Sequence, residues 1–412
     1  MSTDTAARFG LGHSFDRYPT HGGLVLVLNC GSSSIKFALF DAGQSPLPRT
    51  PVWNGKVQGI GGAKATYGET GVEPAPLALD AQQPYHAALA HIHERVLLRL
   101  GPRQLAAVAH RVVHGGSKYR EPVRVDAAVL ADLKTFIPLA PLHQPFALDA
   151  IETLLATNPE LPQIACFDTA FHHTLPQFEQ MLPLPYSAWE RGLRRYGFHG
   201  LSYEYLSVAL PERHGDLARG RVIAAHLGSG ASLCGMQGLK SVGTTMGFSA
   251  LDGLMMGTRT GSLDPGAVLY LMEIEKLSLA QVGHVLYHES GLLGVSGLSA
   301  EPRVLLAAES RTDEVGERVR AALALYVRRI VREVGALVAV LGGLDLLVFT
   351  AGIGEHSAEI RERVCDELGF LGIMLDGEAN ASHAPLISSP ESRLVVGVEP
   401  TNEEWIAARH AA

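Results

Sequence analysis

The sequence predicts an α/β protein of two domains. Three observations point there. The chain has 412 residues, enough for two cores of ordinary domain size. Apolar strand-like runs alternate with helical patterns along its length. No fixed-period repeat, low-complexity tract or long linker interrupts that alternation. With 47% hydrophobic and 18% charged residues, disorder and miniature disulfide scaffolds are excluded.

Residues 1–23, MSTDTAARFGLGHSFDRYPTHGG, are polar and broken by Gly and Pro, without the apolar stretch of a secretory signal, and read as a loose extension. Three later segments share one design, a short apolar run leading straight into glycine and small polar residues. They are LVLVLNCGSSSIK (24–36), RVIAAHLGSGAS (221–232) and DLLVFTAGIGEHS (345–357). Each predicts a buried strand followed by a glycine turn, where a missing Cβ lets backbone N–H groups approach a phosphate. One such turn is an ordinary bend; three in one chain point to phosphate binding. The proline-rich IPLAPLHQPF (137–146) predicts a stiff loop lining a site. ERVRAALALYVRRIVREVGALVAVL (317–341) is the clearest helix. The most apolar stretch, 335–354, contains Gly342, Gly343 and Asp345, and so reads as a helix end plus a strand instead of a membrane span.

Charge narrows the partners. With 34 Lys+Arg against 42 Asp+Glu the net charge is -8, which gives no electrostatic support for nucleic acid or an anionic membrane. An anionic substrate must then be held by a few cations focused in a cleft. Cys30, Cys166, Cys234 and Cys365 have no metal-ligand or CxxC spacing and read as reduced, buried thiols of a cytoplasmic protein.

Several residues carry candidate chemistry. In LNCGSSSIK, Asn29, Ser32, Ser34 and Lys36 gather around one glycine; the oxygens suit Mg2+ or phosphate and the ammonium suits phosphate. This is not a Walker loop, which needs GxxxxGK[ST] before a helix. HRVVHGG places Arg111 at a strand end, RRYGFHG sets Phe198 and His199 before glycine, and GTRTGSLDPG puts Arg259 in a glycine-rich loop. Together Arg111, His199 and Arg259 suit a carboxylate and a phosphoryl group in transfer. Asp168 ends the run IACFD and could hold metal-bound water, orient an arginine, act as a base or cap a helix. Glu403 and Glu404 in PTNEEW open a helix, where the dipole alone favours acids.

Those motifs, with APLHQPFAL, FDTAFHHTLP, TTMGFSALDGLMMGTRTGSLDPG, SGLLGVSG and FTAGIGEHS, occur in order from Leu24 to Ala408 and closely resemble the acetate kinase family. The resemblance implies two ribonuclease-H-like domains of the acetate and sugar kinase/actin type with an ATP cleft between them. The first would span 24–168 and be completed by the C-terminal helix 402–412; the second, nucleotide-binding, would span 169–401. It implies Mg2+, or Mn2+ in its place, at Asn29 and Glu403, and Lys36 near the nucleotide phosphates with Ser32 and Ser34. ATP or ADP would be held by His226, Leu227, Gly228, Ser229 and Gly230, by Glu301, Pro302 and Arg303, and by Gly352, Ile353, Gly354, Glu355 and His356. Arg111 and Arg259 would bind the carboxylate and the transferring phosphoryl group, with His199 stabilising the transition state. Asp168 matches a family proton donor/acceptor, yet a carboxylic acid is already ionised at pH 7, so orienting an arginine or metal-bound water suits it better. The acyl group would lie against Val113, Leu142, His143, Phe198 and Ala250. A homodimer is implied as well.

The chain departs from the family at Ser229 and His356, where Asn is usual, and at Glu301, where Asp is usual. Gln144 and Phe146 replace Asn and Ala, Tyr203 stands where His is common, and Ala250 replaces proline. The function implied is reversible, Mg2+-dependent phosphoryl transfer between ATP and acetate by direct in-line displacement. A propionate or other short-chain carboxylate kinase is the alternative on the same fold. A nucleotide- or acyl-phosphate-binding regulator without turnover is the reading from another class.

Overall fold

A computed structural model describes residues 23–62, 64–141 and 143–412. Residues 1–22 of the extension expected over 1–23, and the acyl-pocket candidate Leu142, lie outside the described residues. The chain forms two compact units, one built from the chain up to Ala170 with Asn402–Ala412, the other from Phe171–Thr401.

The first unit is built on one sheet. Its strands are β1 (Leu24–Cys30), β2 (Ser34–Asp41), β3 (Trp53–Gln58), β4 (Thr66–Glu69), β5 (Val72–Pro76), β6 (Leu105–Val112), β7 (Val123–Arg124) and β8 (Gln163–Phe167), in the order β5-β4-β3-β2-β1-β6-β8-β7. Antiparallel hairpins run from β1 to β5, whereas β1, β6 and β8 are parallel. The LVLVL run of β1 is apolar on both faces because both are covered. Helix Gln144–Thr157 packs on β1 and β6, and helix Glu403–Ala411 packs on β1, β2, β6 and β8. That last helix is tied down at its start. Asn402 Oδ1 accepts from Trp405 N at 3.0 Å, Asn402 Nδ2 donates to Arg49 O at 2.9 Å, and Trp405 Nε1 donates to Leu47 O at 3.1 Å.

The second unit repeats the arrangement. Strands β9 (Arg221–Leu227), β10 (Ala231–Gln237), β11 (Lys240–Thr244), β12 (Leu346–Thr350) and β13 (Val395–Val398) run in the order β11-β10-β9-β12-β13. Here too the central strand has an antiparallel hairpin on one side and parallel neighbours on the other. The Glu314–Leu341 helix lies across β9, β10 and β11. Its approach needs glycine in the sheet: a Cβ at Gly243 would stand 2.9 Å from Leu337 Cδ2.

Three sequence expectations need correction. The long helix begins at Glu314, not Glu317, because Asp313 caps it by accepting from Gly316 N at 3.0 Å. The proline-rich loop ends early: Gln144 starts a helix with Pro145 in its first turn, where no N–H is needed. After β12 the chain enters a short helix, Ala351–His356, instead of a glycine turn. Among the described residues no helix is long and apolar enough to cross a membrane.

One buried charge fastens the far edge of the first sheet. Glu69 accepts from Arg95 Nη2 and Arg99 Nη2, each at 2.8 Å, and from the Tyr67 hydroxyl. Burial pushes its pKa up, but these donors more than offset that and hold it at about 2. Glu69→Gln is therefore expected to cost about 2 kcal/mol at pH 7, read by urea unfolding. A carboxylate with a depressed folded-state pKa stabilises above its ordinary pKa and loses that contribution on acidification. The gap between variant and parent should narrow as pH falls from 4.5 towards 2.

Candidate active site

In the first unit the parallel strands deliver side chains at their C-terminal ends, the usual place for a ligand site in such sheets. Asn29 on β1 is the register partner of Arg111 on β6, and Asp168 follows the end of β8. Asp168, itself buried, takes Arg111 in a bidentate pair: Nε to Oδ1 at 2.8 Å and Nη2 to Oδ2 at 2.6 Å. The remaining Nη1 faces Asn29 Oδ1 at 3.5 Å and Glu403 Oε2 at 3.3 Å. Burial works against the guanidinium charge, yet Asp168 and Glu403 hold its pKa above the ordinary arginine value. Glu404, beside them, is pushed up by burial and by Glu403.

Lys36 is the register partner of Asn29 on β2. Its side chain lines a cavity of about 410 Å3 with Lys56, Asn54, Thr70 and Glu404. Ser32 is exposed in the β1–β2 turn, which closes by Gly31 N donating to Ser34 O at 2.8 Å. Val113 is half-buried just after β6, and His143 stands at the head of helix Gln144–Thr157. The departure at Gln144 has a clear role. Its buried amide accepts from His114 N at 3.0 Å and donates to His114 O at 2.9 Å, bracing the HRVVHGG segment.

In the second unit His199 and Arg259 meet at the β9–β10 turn. His199 precedes helix Gly200–His214 with φ 59, a left-handed conformation uncommon outside glycine and found at functional sites. Its ring stacks on His226 at 4.1 Å and 15°. His199 Nδ1 lies 2.8 Å from Ser232 Oγ, which Tyr203 OH contacts at 2.6 Å. The tyrosine that departs from the usual histidine thus stands behind the His199 ring. Gly230 is what lets the groups converge: a Cβ there would stand 3.1 Å from His199 Nε2 and 3.7 Å from Arg259 Nη1.

Arg259 is compensated quite differently from Arg111. Its Nη1 donates to Ala250 O at 3.0 Å and to Met256 Sδ at 3.8 Å. Among the described residues it has no carboxylate within ion-pair distance, and burial lowers its pKa. Such a cation has hydrogen-bond donors left for an anion. Phe198 is buried, and Ala250, whose carbonyl accepts from Arg259, is half-buried.

A cavity of about 810 Å3 lies wholly within the second unit. It is lined by Gly228 and Ser229 from the β9–β10 turn, by Glu301, Pro302 and Arg303, and by Gly352, Ile353 and His356, with Gly257 and Thr258 as a fourth segment. Leu227, Gly354 and Glu355 are not on its wall. Leu227 belongs to the apolar interior of β9, while the Gly354 and Glu355 carbonyls turn to Arg361 Nη1 at 2.8 and 2.9 Å. Arg361 is fully buried, although nothing in SAEIRERVCDE sets it apart from the other charged residues of the segment. His226 and Gly230 stand behind the turn instead of on the cavity wall.

A glycine turn, an arginine with donors to spare and a cavity beside that turn suit an enzyme that handles phosphoryl groups, and comparison with known proteins narrows the class. Residues 24–409 match the Acetokinase family, and the chain belongs to it. It is 48% identical over 392 residues to an acetate kinase of Rhodopseudomonas palustris, covering 94% of this chain and 97% of the relative. Among solved structures it resembles the acetate kinase of Porphyromonas gingivalis, with TM-score 0.81 and 36% identity over 94% of this chain and 98% of that one. It also resembles a propionate kinase of Francisella tularensis, with TM-score 0.86 and 33% identity over the same shares. The chain is accordingly a kinase that phosphorylates a carboxylate.

Gly230→Ala tests the convergence at the turn. The new methyl must displace His199 by a few tenths of an ångström. A misplacement of that kind is expected to lower kcat about tenfold or more with little change in Tm, measured by steady-state kinetics and thermal unfolding.

Proposed function

We propose that the chain is an acetate kinase, catalysing reversible, Mg2+-dependent transfer of the γ-phosphoryl group of ATP to acetate, with acetyl phosphate and ADP as products. The observation that carries this reading is the contrast between two arginines. Arg111 is held by Asp168 and faces Glu403, whereas Arg259 donates, among the described residues, to a carbonyl and a thioether. The first cluster is net negative and the second net positive, which suits a cation at one and a transferring phosphoryl group at the other.

The oxygen donors Asn29 Oδ1, Asp168 and Glu403 around Arg111 are the hard ligands that Mg2+ takes, and Mg2+ ordinarily uses only one or two carboxylates plus substrate phosphates. Asn29 and Glu403 are the residues proposed to hold it, and Mn2+ suits the same donors. When bound, the ion shields phosphate charge from the attacking carboxylate. Acetate is ionised at pH 7 and needs no base, so the work of Asp168 is to fix the Arg111 guanidinium. Arg259 and His199 supply charge and a hydrogen bond to the transferring group, with the cavity along Gly228, Ser229, Glu301 and Gly352 holding the nucleotide. No step calls for a covalent intermediate; positioning and charge stabilisation suffice for direct in-line transfer.

Ala250 supports a second reading, a propionate kinase. An alanine where the family usually has proline leaves room for one or two methylenes, each contributing about 0.8 kcal/mol when buried. A homodimer and a cytoplasmic location complete the proposal. Leu269, Tyr270, Ile274 and Leu279 form exposed apolar surface along Pro265–Glu273 and the start of Leu279–His288, and the four cysteines are buried thiols.

A hydroxamate assay for acyl phosphate with acetate, propionate and butyrate tests the reading. Turnover should require Mg2+ and fall about 10²- to 10³-fold in Arg259→Ala. Nucleotide binding without turnover on any acid would favour the regulator. If Ala250 sets acyl size, Ala250→Pro should lower the propionate-to-acetate ratio of kcat/KM by about fourfold, the equivalent of one buried methylene; an unchanged ratio removes the propionate reading's support.

A further inference from the structure

Arg259 is aimed from two sides. Its backbone is held by residues 286–290: Thr260 N donates to Leu286 O at 3.2 Å, Thr258 Oγ1 to Tyr287 O at 2.8 Å, and Ser290 N to Thr258 O at 3.0 Å. Its guanidinium is held from the opposite side by the Ala250 carbonyl. That carbonyl is fixed in turn by a clamp two residues further on. Ser262 Oγ donates to Asp252 Oδ1 at 2.7 Å and accepts from Gly253 N at 3.2 Å, while Ser262 N donates to Gly253 O at 2.8 Å. A carboxylate only accepts, so the Ser262 proton is committed to Asp252. Gly261 permits the closure: its φ is 70, and a Cβ there would stand 2.5 Å from the Leu254 carbonyl.

The second oxygen of Asp252 faces the segment that leads to His199. Oδ2 lies 3.8 Å from Arg195 Nη1, which donates to Thr244 O at 3.0 Å and Thr245 O at 3.1 Å at the end of β11. It also packs on Gly247, where a Cβ would stand 2.3 Å from it. Gly247 O accepts from Tyr196 N at 3.1 Å and Gly197 N at 3.3 Å, and these residues run directly into Phe198 and His199. One carboxylate thus ties the chain that holds the Arg259 guanidinium to the frame from which His199 projects.

We propose that Asp252 is a positioning residue for phosphoryl transfer: with Ser262 it sets the Ala250 carbonyl against Arg259 and so fixes the guanidinium relative to His199. The two groups border one small volume, since a Cβ at Gly230 would stand 3.1 Å from His199 Nε2 and 3.7 Å from Arg259 Nη1. Stabilising a transferring group depends on donors already standing where charge develops. With no carboxylate within ion-pair distance among the described residues, the aim of Arg259 depends on its neutral acceptors, of which the Ala250 carbonyl is the stronger. Asp252 and Ser262 act through Arg259 in this scheme, which rests on the reading of Arg259 and His199 as the groups that serve the transferring phosphoryl.

The experiment is a kinetic double-mutant cycle on the full-length enzyme, combining Ser262→Ala with Arg259→Ala and reading kcat for acyl phosphate formation at saturating ATP and carboxylate, with KM for ATP and Tm beside it. Ser262→Ala should lower kcat about tenfold. KM for ATP should hold, because Thr258 on the cavity wall keeps its separate bonds to Tyr287 and Ser290. Ser262→Thr, which keeps the hydroxyl, should restore kcat. In the Arg259→Ala background the same Ser262→Ala change should alter kcat by less than about twofold, since the group it aims is gone. Where Ser262→Ala does not fold, Asp252→Asn carries the cycle, with a smaller loss and the same dependence on Arg259. An equal loss on both backgrounds, or a rise in KM for ATP with kcat unchanged, marks a general structural role and overturns the proposal. Parental kcat in Ser262→Ala beside a large loss in Arg259→Ala overturns the clamp and leaves the reading of Arg259 standing. Full turnover in Arg259→Ala overturns both.

Discussion

The compensation given to a guanidinium drawn partly or wholly out of water is the constraint on which the rest of the site depends. A cation taken out of water must be paired, hydrogen-bonded or left able to recruit an anion. Arg111 receives the first treatment, with both oxygens of Asp168 on one edge and Glu403 on the other. Arg259 receives, among the described residues, a neutral carbonyl and a thioether. Arg361 is a third case, fully buried among neutral acceptors: the Gly354, Glu355 and Asn380 carbonyls, the Asn380 side chain and His383 Nδ1. The three differ in consequence. Arg111 is fixed and overbalanced by acids, Arg361 is structural mortar for the cavity wall, and Arg259 keeps donors for a ligand.

The fold makes these differences by placing strand ends. In the first unit β1, β6 and β8 run parallel, so Asn29, Arg111 and Asp168 emerge on one edge although 82 residues separate the first pair and 57 the second. The C-terminal helix adds Glu403 from the far end of the sequence. In the second unit the end of β9 carries His226 and the glycine turn, against which His199 is held in a left-handed conformation. That backbone cost is met by the stack on His226 and the bond to Ser232.

Much of this architecture is legible in the sequence, for physical reasons that differ by element. The apolar runs of β1, β9 and β12 stand out because strands covered on both faces carry no polar alternation. Arg111, Asp168, His199 and Arg259 stand out singly as polar residues at strand or loop ends, but the Arg111–Asp168 pair does not, since register across β6 and β8 decides it. Glu403 reads as helix-dipole complementarity until the sheet brings Arg111 to it. The Gly352–His356 segment reads as a turn because its glycines mask a short helix, and Pro145 reads as a breaker where it is a starter. Thr401 and Ser202 are silent in sequence. The hydrogen bond between them spans 199 positions.

The central claim is that positioned charge, with no protein nucleophile, carries the phosphoryl group from nucleotide to carboxylate. It is tested most directly by the stereochemistry of transfer from ATP made chiral at the γ-phosphorus. A single in-line displacement predicts inversion at phosphorus in the acyl phosphate product. Retention would require an even number of displacements through a phosphorylated side chain and would contradict the account.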